Sequence, residues 1–175
     1  MGHRLHYYGS KILRNRSGEV EIASQGEYLR KLVSDMNQIL LMEKGLGLAA
    51  PQAGENVRVF ILNPDELSLK GHRVFVNPRV EASGPMQKDE EGCLSIPGVF
   101  EMVRRPADVS VTALDLEGRE FALELSDYAA RAVQHENDHL DGILFVDRLS
   151  PIRKKLVKNK LAEIKREYGS DCRIL

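Results

Sequence analysis

Between Ser126 and Leu140 the sequence sets two histidines and a glutamate on the helix face that its own periodicity marks as apolar. Tyr128, Ala132, His135 and His139 fall at i, i+4, i+7 and i+11, and Ala129, Val133, Glu136 and Leu140 form the neighbouring row. Burying such polar groups without partners costs several kcal/mol. A fold that accepts this helix must therefore give it something to bind. His135-Glu136-Asn137-Asp138-His139 is an H-E-x-x-H pattern, whose two imidazoles, four residues apart, reach one metal ion. Glu136, about 100° around the helix from His135, reaches a water at that ion without being a ligand. The alternative is a solvated polar helix face, and the apolar neighbours of these residues weigh against it.

Catalytic sites of this kind commonly have three protein ligands and one open position. No third histidine follows Gly142, and His3, His6 and His72 lie in an N-terminal arm and an expected loop. The remaining candidate is Cys93, in Glu91-Gly-Cys-Leu-Ser-Ile-Pro-Gly98, because a thiolate binds iron or zinc strongly. Taken alone, Cys93 reads as a buried structural thiol, and only the neighbouring H-E-x-x-H makes it the favoured third ligand. Cys172, among polar residues near the C-terminus, is expected to be incidental.

The rest of the chain indicates α+β architecture. After an arm over residues 1–23, Ser24 and Glu27 suggest a capping box opening a helix, with Leu29, Leu32, Val33, Met36, Ile39 and Leu40 as its core stripe and Gly45 as its stop. Strands are expected at Val57–Leu62 and Arg73–Val76. Alternation in Val109–Ala113 and Phe121–Leu125 around Asp115-Leu-Glu-Gly118 predicts an antiparallel hairpin. Ser150-Pro151 opens a last helix, with Ile152, Leu156, Val157, Leu161, Ile164 and Tyr168 as its apolar stripe and Gly169 as its end. The expectation is antiparallel strands packed around a central metal-binding H-E-x-x-H helix, flanked by an N-terminal and a C-terminal helix.

A net charge of −1 argues against a general nucleic-acid binder. The N-terminus shows no apolar core of signal-peptide length, no apolar run approaches the ~18 residues of a membrane span, and two cysteines make no disulfide framework. A cytoplasmic location and no membrane partner are therefore expected.

A third segment, Gly45-Leu-Gly-Leu-Ala-Ala-Pro-Gln52, reads alone as a small-residue connection between helix and strand. Taken together, Gly45–Gln52, Glu91–Ser95 and Gln134–Gly142 resemble the peptide deformylase family, whose motifs G-x-G-L-A-A-P-Q, E-G-C-L-S and Q-H-E-x-D-H-L-x-G stand in that order and match at every defined position. The resemblance covers most of the chain, including a helix after the last motif as in the bacterial type. Tyr7-Tyr-Gly-Ser-Lys-Ile-Leu-Arg14 follows the family's early segment only loosely, and Phe100 stands where many bacterial members carry an arginine near the substrate cleft.

The resemblance implies one catalytic domain over 1–175, with a C-terminal helix over 150–169, that removes the formyl group from the N-terminal formylmethionine of new proteins and releases formate. It implies that Cys93, His135 and His139 hold Fe²⁺, for which Zn²⁺, Ni²⁺ or Co²⁺ substitute. Metal-activated water then attacks the formyl carbon, Glu136 serves as general base and acid, and the Gln52 amide and Leu94 N–H stabilise the oxyanion. Leu46, Tyr128 and Ala132 are the equivalents of the methionine pocket, although core packing explains each equally well. Gly45 belongs with this substrate cleft, and Gly47 and Gly92 suit close approach of a peptide backbone. Arg131 lies nearby with no assigned role.

The expected partners are formylmethionyl nascent peptides and, through the basic C-terminal helix, the ribosome near its peptide exit. A monomer is expected. Three other readings share these residues: a general zinc peptidase, a thiol hydrolase with Cys93 as nucleophile, and a non-catalytic metal-binding or ribosome-docking protein.

Overall fold

The computed structural model describes residues 4–67, 69 and 71–168. Gly169, Cys172 and His3, singled out in the sequence, lie outside the described residues. The N-terminal arm, whose periodicity is weak, is pinned by buried Leu5, Tyr7 and Leu13. Its backbone donates from His6 N–H to Gln52 O and from Tyr8 N–H to Ser95 O, both at 2.8 Å.

Helix α1 spans Ile22–Glu43 and buries the six apolar residues that its periodicity marks. Its start differs from the expected capping box. Glu21 is the N-cap, Gln25 Oε1 accepts the Glu21 N–H at 2.9 Å, and Ser24 Oγ turns back to Glu21 Oε2 at 2.9 Å. The helix thus begins two residues before Ser24, capped by a longer amide side chain. Its stop is Lys44 in the left-handed region (φ 53°), after which Gly45 N–H closes onto Leu40 O.

Five strands follow: β1 (Gly47–Ala49), β2 (Val59–Leu62), β3 (Val74–Cys93), β4 (Ile96–Leu114) and β5 (Glu120–Ser126). A short helix, α2 (Pro64–Leu67), separates β2 from β3. The strands make one antiparallel sheet in chain order. The β4–β5 hairpin turns as expected, with Asp115 Oδ1 accepting the N–H groups of Glu117 and Arg119 at 2.9 Å. The lengths of β3 and β4 were not foreseeable from alternation. Residues 81–86 are exposed one after another, so no apolar face marks them.

Helix α3 (Asp127–Leu140) touches all five strands, and its Ala130, Val133 and Leu140 join Phe60, Phe75, Val109 and Val111 in one core cluster. The α+β class stands, but the description of the strands as packed around a metal-binding H-E-x-x-H helix needs correction. The metal-binding group is Cys93, His135 and His139, not the H-E-x-x-H segment. One helix face presents only the i and i+4 donors. The third comes from the end of β3, and Glu136 is not in the set.

The last helix, α4, spans Pro151–Tyr168. It docks through Val157, Leu161 and Ile164, and the Tyr168 ring stacks on Tyr7 with centroids 4.5 Å apart. Those residues recur at i, i+4, i+7 and i+11, a stripe that leaves Ile152 and Leu156 off the docked face. Both were expected to pack, and both are more than 70% exposed. Among the described residues no helix is long and apolar enough to cross a membrane.

Candidate metal and catalytic site

Cys93 ends β3 and is paired with Ile96 across a tight turn, which fixes its side chain against α3. One donor atom from each of Cys93, His135 and His139 lies within 4.8 Å of the others, with Cys93 Sγ 3.3 Å from His139 Nε2. The other ring nitrogen of His135, Nδ1, meets Glu91 Oε2 at 3.1 Å. A carboxylate on the far side of a ligating imidazole fixes ring orientation and raises ligand basicity. His135 thus has the outer partner that metal-ligating imidazoles usually carry, whereas His139 Nδ1 is buried without one among the described residues.

Glu91 is anchored in turn. Arg105 donates to it from Nε at 2.6 Å and from Nη2 at 2.9 Å, and Arg131 Nη1 donates at 2.6 Å. Arg105 Nη1 also reaches Asp138 Oδ2 at 2.8 Å, and Arg148 holds Asp138 from the other side. Burial works to raise the Glu91 carboxyl, but the His135 and Arg105 hydrogen bonds and the Arg105 charge outweigh it and hold it well below the usual carboxylate range. Burial, with the His135 charge beside it, pushes His139 well below its ordinary value, which leaves a neutral imidazole with a lone pair to give. For His135 burial is outweighed by bonds to Cys93 and Glu91, which lift it to about 10. A cation at the cluster takes the place of that proton.

Glu136 is buried, and burial raises its carboxyl to about 7. Its Oε2 has no hydrogen-bond partner, and its Oε1 lies 2.6 Å from where a Cβ on Gly47 would stand. The absent side chain of Gly47 thus makes room for the carboxylate. At Gly92 the corresponding space is filled by the Phe100 ring. At both glycines protein atoms occupy the volume that the missing side chain leaves, and both backbones line the cavity.

Gln52 lies in a 3₁₀ turn, Ala50–Ala53, whose tight geometry brings its side chain back over β1. Oε1 accepts the Ala49 N–H at 2.8 Å, so the amide nitrogen must point the other way. It does so, toward Ser95 Oγ at 3.1 Å and Cys93 Sγ at 3.5 Å. The arm's two backbone bonds tie down the same pair, Gln52 and Ser95.

These groups surround a cavity of about 520 Å³ lined by Gly45, Leu46, Gly47, Gln52, Gly92, Cys93, Leu94, Tyr128, Ala132, His135 and Glu136. His139, 1% exposed, lies behind the lining. Arg131, left without a role in the sequence, lines the cavity and braces Glu91 as well as Val103 O and Gln87 O. Sequence reading passed over Glu91, Arg105, Asp138 and Arg148 as a unit. Glu91 and Asp138 lie inside recognised motifs and carried that much signal, whereas Arg105 and Arg148 are isolated arginines with none.

Comparison with known proteins agrees with this geometry. A family model described as polypeptide deformylase matches residues 3–155. A peptide deformylase of Fusobacterium nucleatum is 39% identical over 168 residues, covering 95% of each chain. A plant peptide deformylase structure superposes with a TM-score of 0.86 at 34% identity, over 97% of this chain and 95% of that one. A peptide deformylase structure from Legionella pneumophila gives 0.82 at 34% identity, over 98% and 99%.

Proposed function

Because the chain belongs to the polypeptide deformylase family, we propose specific roles for the residues around this cavity. The protein is a metal-dependent amide hydrolase that removes N-formyl groups. The observation that carries the reading is the convergence of one thiol and two imidazoles beside a buried, half-unpartnered carboxylate. The donor set suits Fe²⁺, with Zn²⁺, Ni²⁺ or Co²⁺ able to substitute. When bound by Cys93, His135 and His139, the ion supplies Lewis-acid polarisation and water of lowered pKa.

Around it the chain's own groups divide the work. Glu136 takes the proton from the attacking water and delivers it to the amine nitrogen as the bond to the formyl carbon breaks, giving formate and a free N-terminal methionine. The Gln52 amide nitrogen and the Leu94 N–H donate to the formyl oxygen as charge develops there. Gln52 is preset for this by Ala49, which fixes which end of the amide faces Cys93. Leu46, Tyr128 and Ala132 receive the methionine side chain, and Gly45 borders that pocket. The peptide beyond methionine lies extended along the cleft edge.

All of these groups come from one chain, which supports a single catalytic domain as the working unit. The reduced thiol that Cys93 must keep to bind metal supports a cytoplasmic location. On α4, Lys154, Lys155 and Lys158 are exposed beside the uncovered Ile152 and Leu156, which supports docking on the ribosome near the peptide exit. Changing the three lysines to glutamate tests this. Co-sedimentation with ribosomes at low salt should weaken, and undiminished co-sedimentation of the folded variant would refute the docking role.

Formate release from formyl-Met-Ala-Ser, followed with metal-loaded protein and after chelation, tests the chemistry. Release should stop on chelation and return with metal. Release that survives chelation, or equal cleavage of unformylated peptides, would overturn the assignment.

A further inference from the structure

A second cavity, of about 410 Å³, lies between the N-terminal arm and the end of α4 and shares no lining residue with the catalytic one. The arm builds one wall. The chain reverses at Gly9 (φ 105°), Ser10 N–H closes onto Tyr7 O at 3.0 Å, and Lys11–Arg14 follows as one 3₁₀ turn anchored by buried Leu13. Residues i and i+3 of such a turn eclipse, so Lys11 and Arg14 stand on one face. Lys165 supplies the opposite wall. It follows buried Ile164 in the last turn of α4, which the stacking of Tyr168 on Tyr7 holds against the arm. The arm's contribution falls in Tyr7 to Arg14, the segment that follows the family's pattern only loosely.

Positive charge in this cavity exceeds what the protein neutralises. Arg14 is paired with Asp147, and its guanidinium carbon lies 5.9 Å from the centre of the Tyr8 ring. Lys11 and Lys165 have no acidic partner among the described residues, and no Asp or Glu lines the cavity. Two ammonium groups brought to one concavity from opposite ends of the chain repel each other, and a concavity lined by one sign of charge concentrates the potential that draws in the other. Two uncompensated charges match a phosphate monoester, which carries about −1.5 to −2 at neutral pH. A phosphodiester or a carboxylate, with a single charge, leaves one lysine uncompensated. Tyr8 and Asn15 add a hydroxyl and an amide to the lining. We propose that this cavity is a binding site for a small phosphate monoester, whose oxygens accept from Lys11 and Lys165, with Arg14 beside them as a donor fixed by Asp147.

The test follows the backbone amide resonances of the zinc-loaded full chain during titration with methyl phosphate, dimethyl phosphate and acetate at constant ionic strength. Methyl phosphate should bind saturably, shift the amides of residues 9–15 and 165, and bind about fivefold or more tightly than either monoanion. Lys11→Met and Lys165→Met keep approximate length and remove the charge. Each should weaken methyl phosphate binding about five- to tenfold. Both lysines are exposed and outside the catalytic cavity, so formate release from formyl-Met-Ala-Ser should stay at the wild-type rate and certifies that the variants are folded. The proposal is overturned if methyl phosphate shows no saturable binding, if its shifts are confined to the catalytic cavity, if dimethyl phosphate or acetate binds as tightly, or if both lysine variants keep the wild-type affinity.

Discussion

Arg105 grips Glu91 with two parallel hydrogen bonds, from Nε at 2.6 Å and Nη2 at 2.9 Å, and does so while only 1% exposed. The same guanidinium reaches Asp138. It thereby links the end of β3 to the helix that carries both imidazoles. Removing one partner of a buried ion pair leaves an uncompensated charge. Arg105→Met, similar in length, should lower unfolding stability by about 3–5 kcal/mol. Denaturant unfolding of the metal-loaded protein measures it, and a loss under about 1 kcal/mol would show that Arg131 and Arg148 suffice.

Cys93→Ala should leave most of the metal behind on purification. The remaining two imidazoles bind from one helix with no donor opposite. Elemental analysis reads the outcome directly, and full occupancy would remove Cys93 from the ligand set.

Glu136→Gln should keep the metal and lose about 10²–10⁴ in kcat, because the carboxylate handles protons and is outside the donor cluster. Gly47→Ala approaches the same group from the other side. Its methyl would meet Glu136 Oε1 at 2.6 Å and Leu62 Cδ2 at 2.7 Å, so it should also depress kcat while metal content holds. A Gly47→Ala enzyme with wild-type kcat would mean that the carboxylate tolerates displacement.

Gln52→Glu separates two functions of one side chain. It keeps an acceptor for the buried Ala49 N–H, whose loss would cost about 1–3 kcal/mol, but removes the donor aimed at the cleft. We expect kcat to fall by about 10²–10³. Gln52→Leu should lose both. A fall confined to KM would make Gln52 a binding residue instead.

Much of this site was legible because its chemistry is concentrated in short segments. The i and i+4 imidazoles, the thiol in its glycine–proline frame and the Gly45–Gln52 turn each carry their signal within eight residues. The apolar stripe of α1 was legible for the same reason. The supports were not. Arg105 meets its partners only through β3–β4 pairing, and the arm meets Gln52 and Ser95 only in three dimensions. On α4 the periodicity was real, but two overlapping stripes satisfied it, and only docking decides that Ile164 is buried and Ile152 is not.

The two backbone bonds of the arm bear on the order in which this protein comes into being. Residues 6 and 8 leave the ribosome well before their partners at 52 and 95, and the last imidazole is 46 positions beyond Cys93. No partial chain ending before His139 holds all three donors, whatever its length. Contacts this distant along the chain are closed late and slowly. A nascent copy that has not yet exposed α3 therefore lacks the complete donor set, and the site closes only once that helix meets the end of β3.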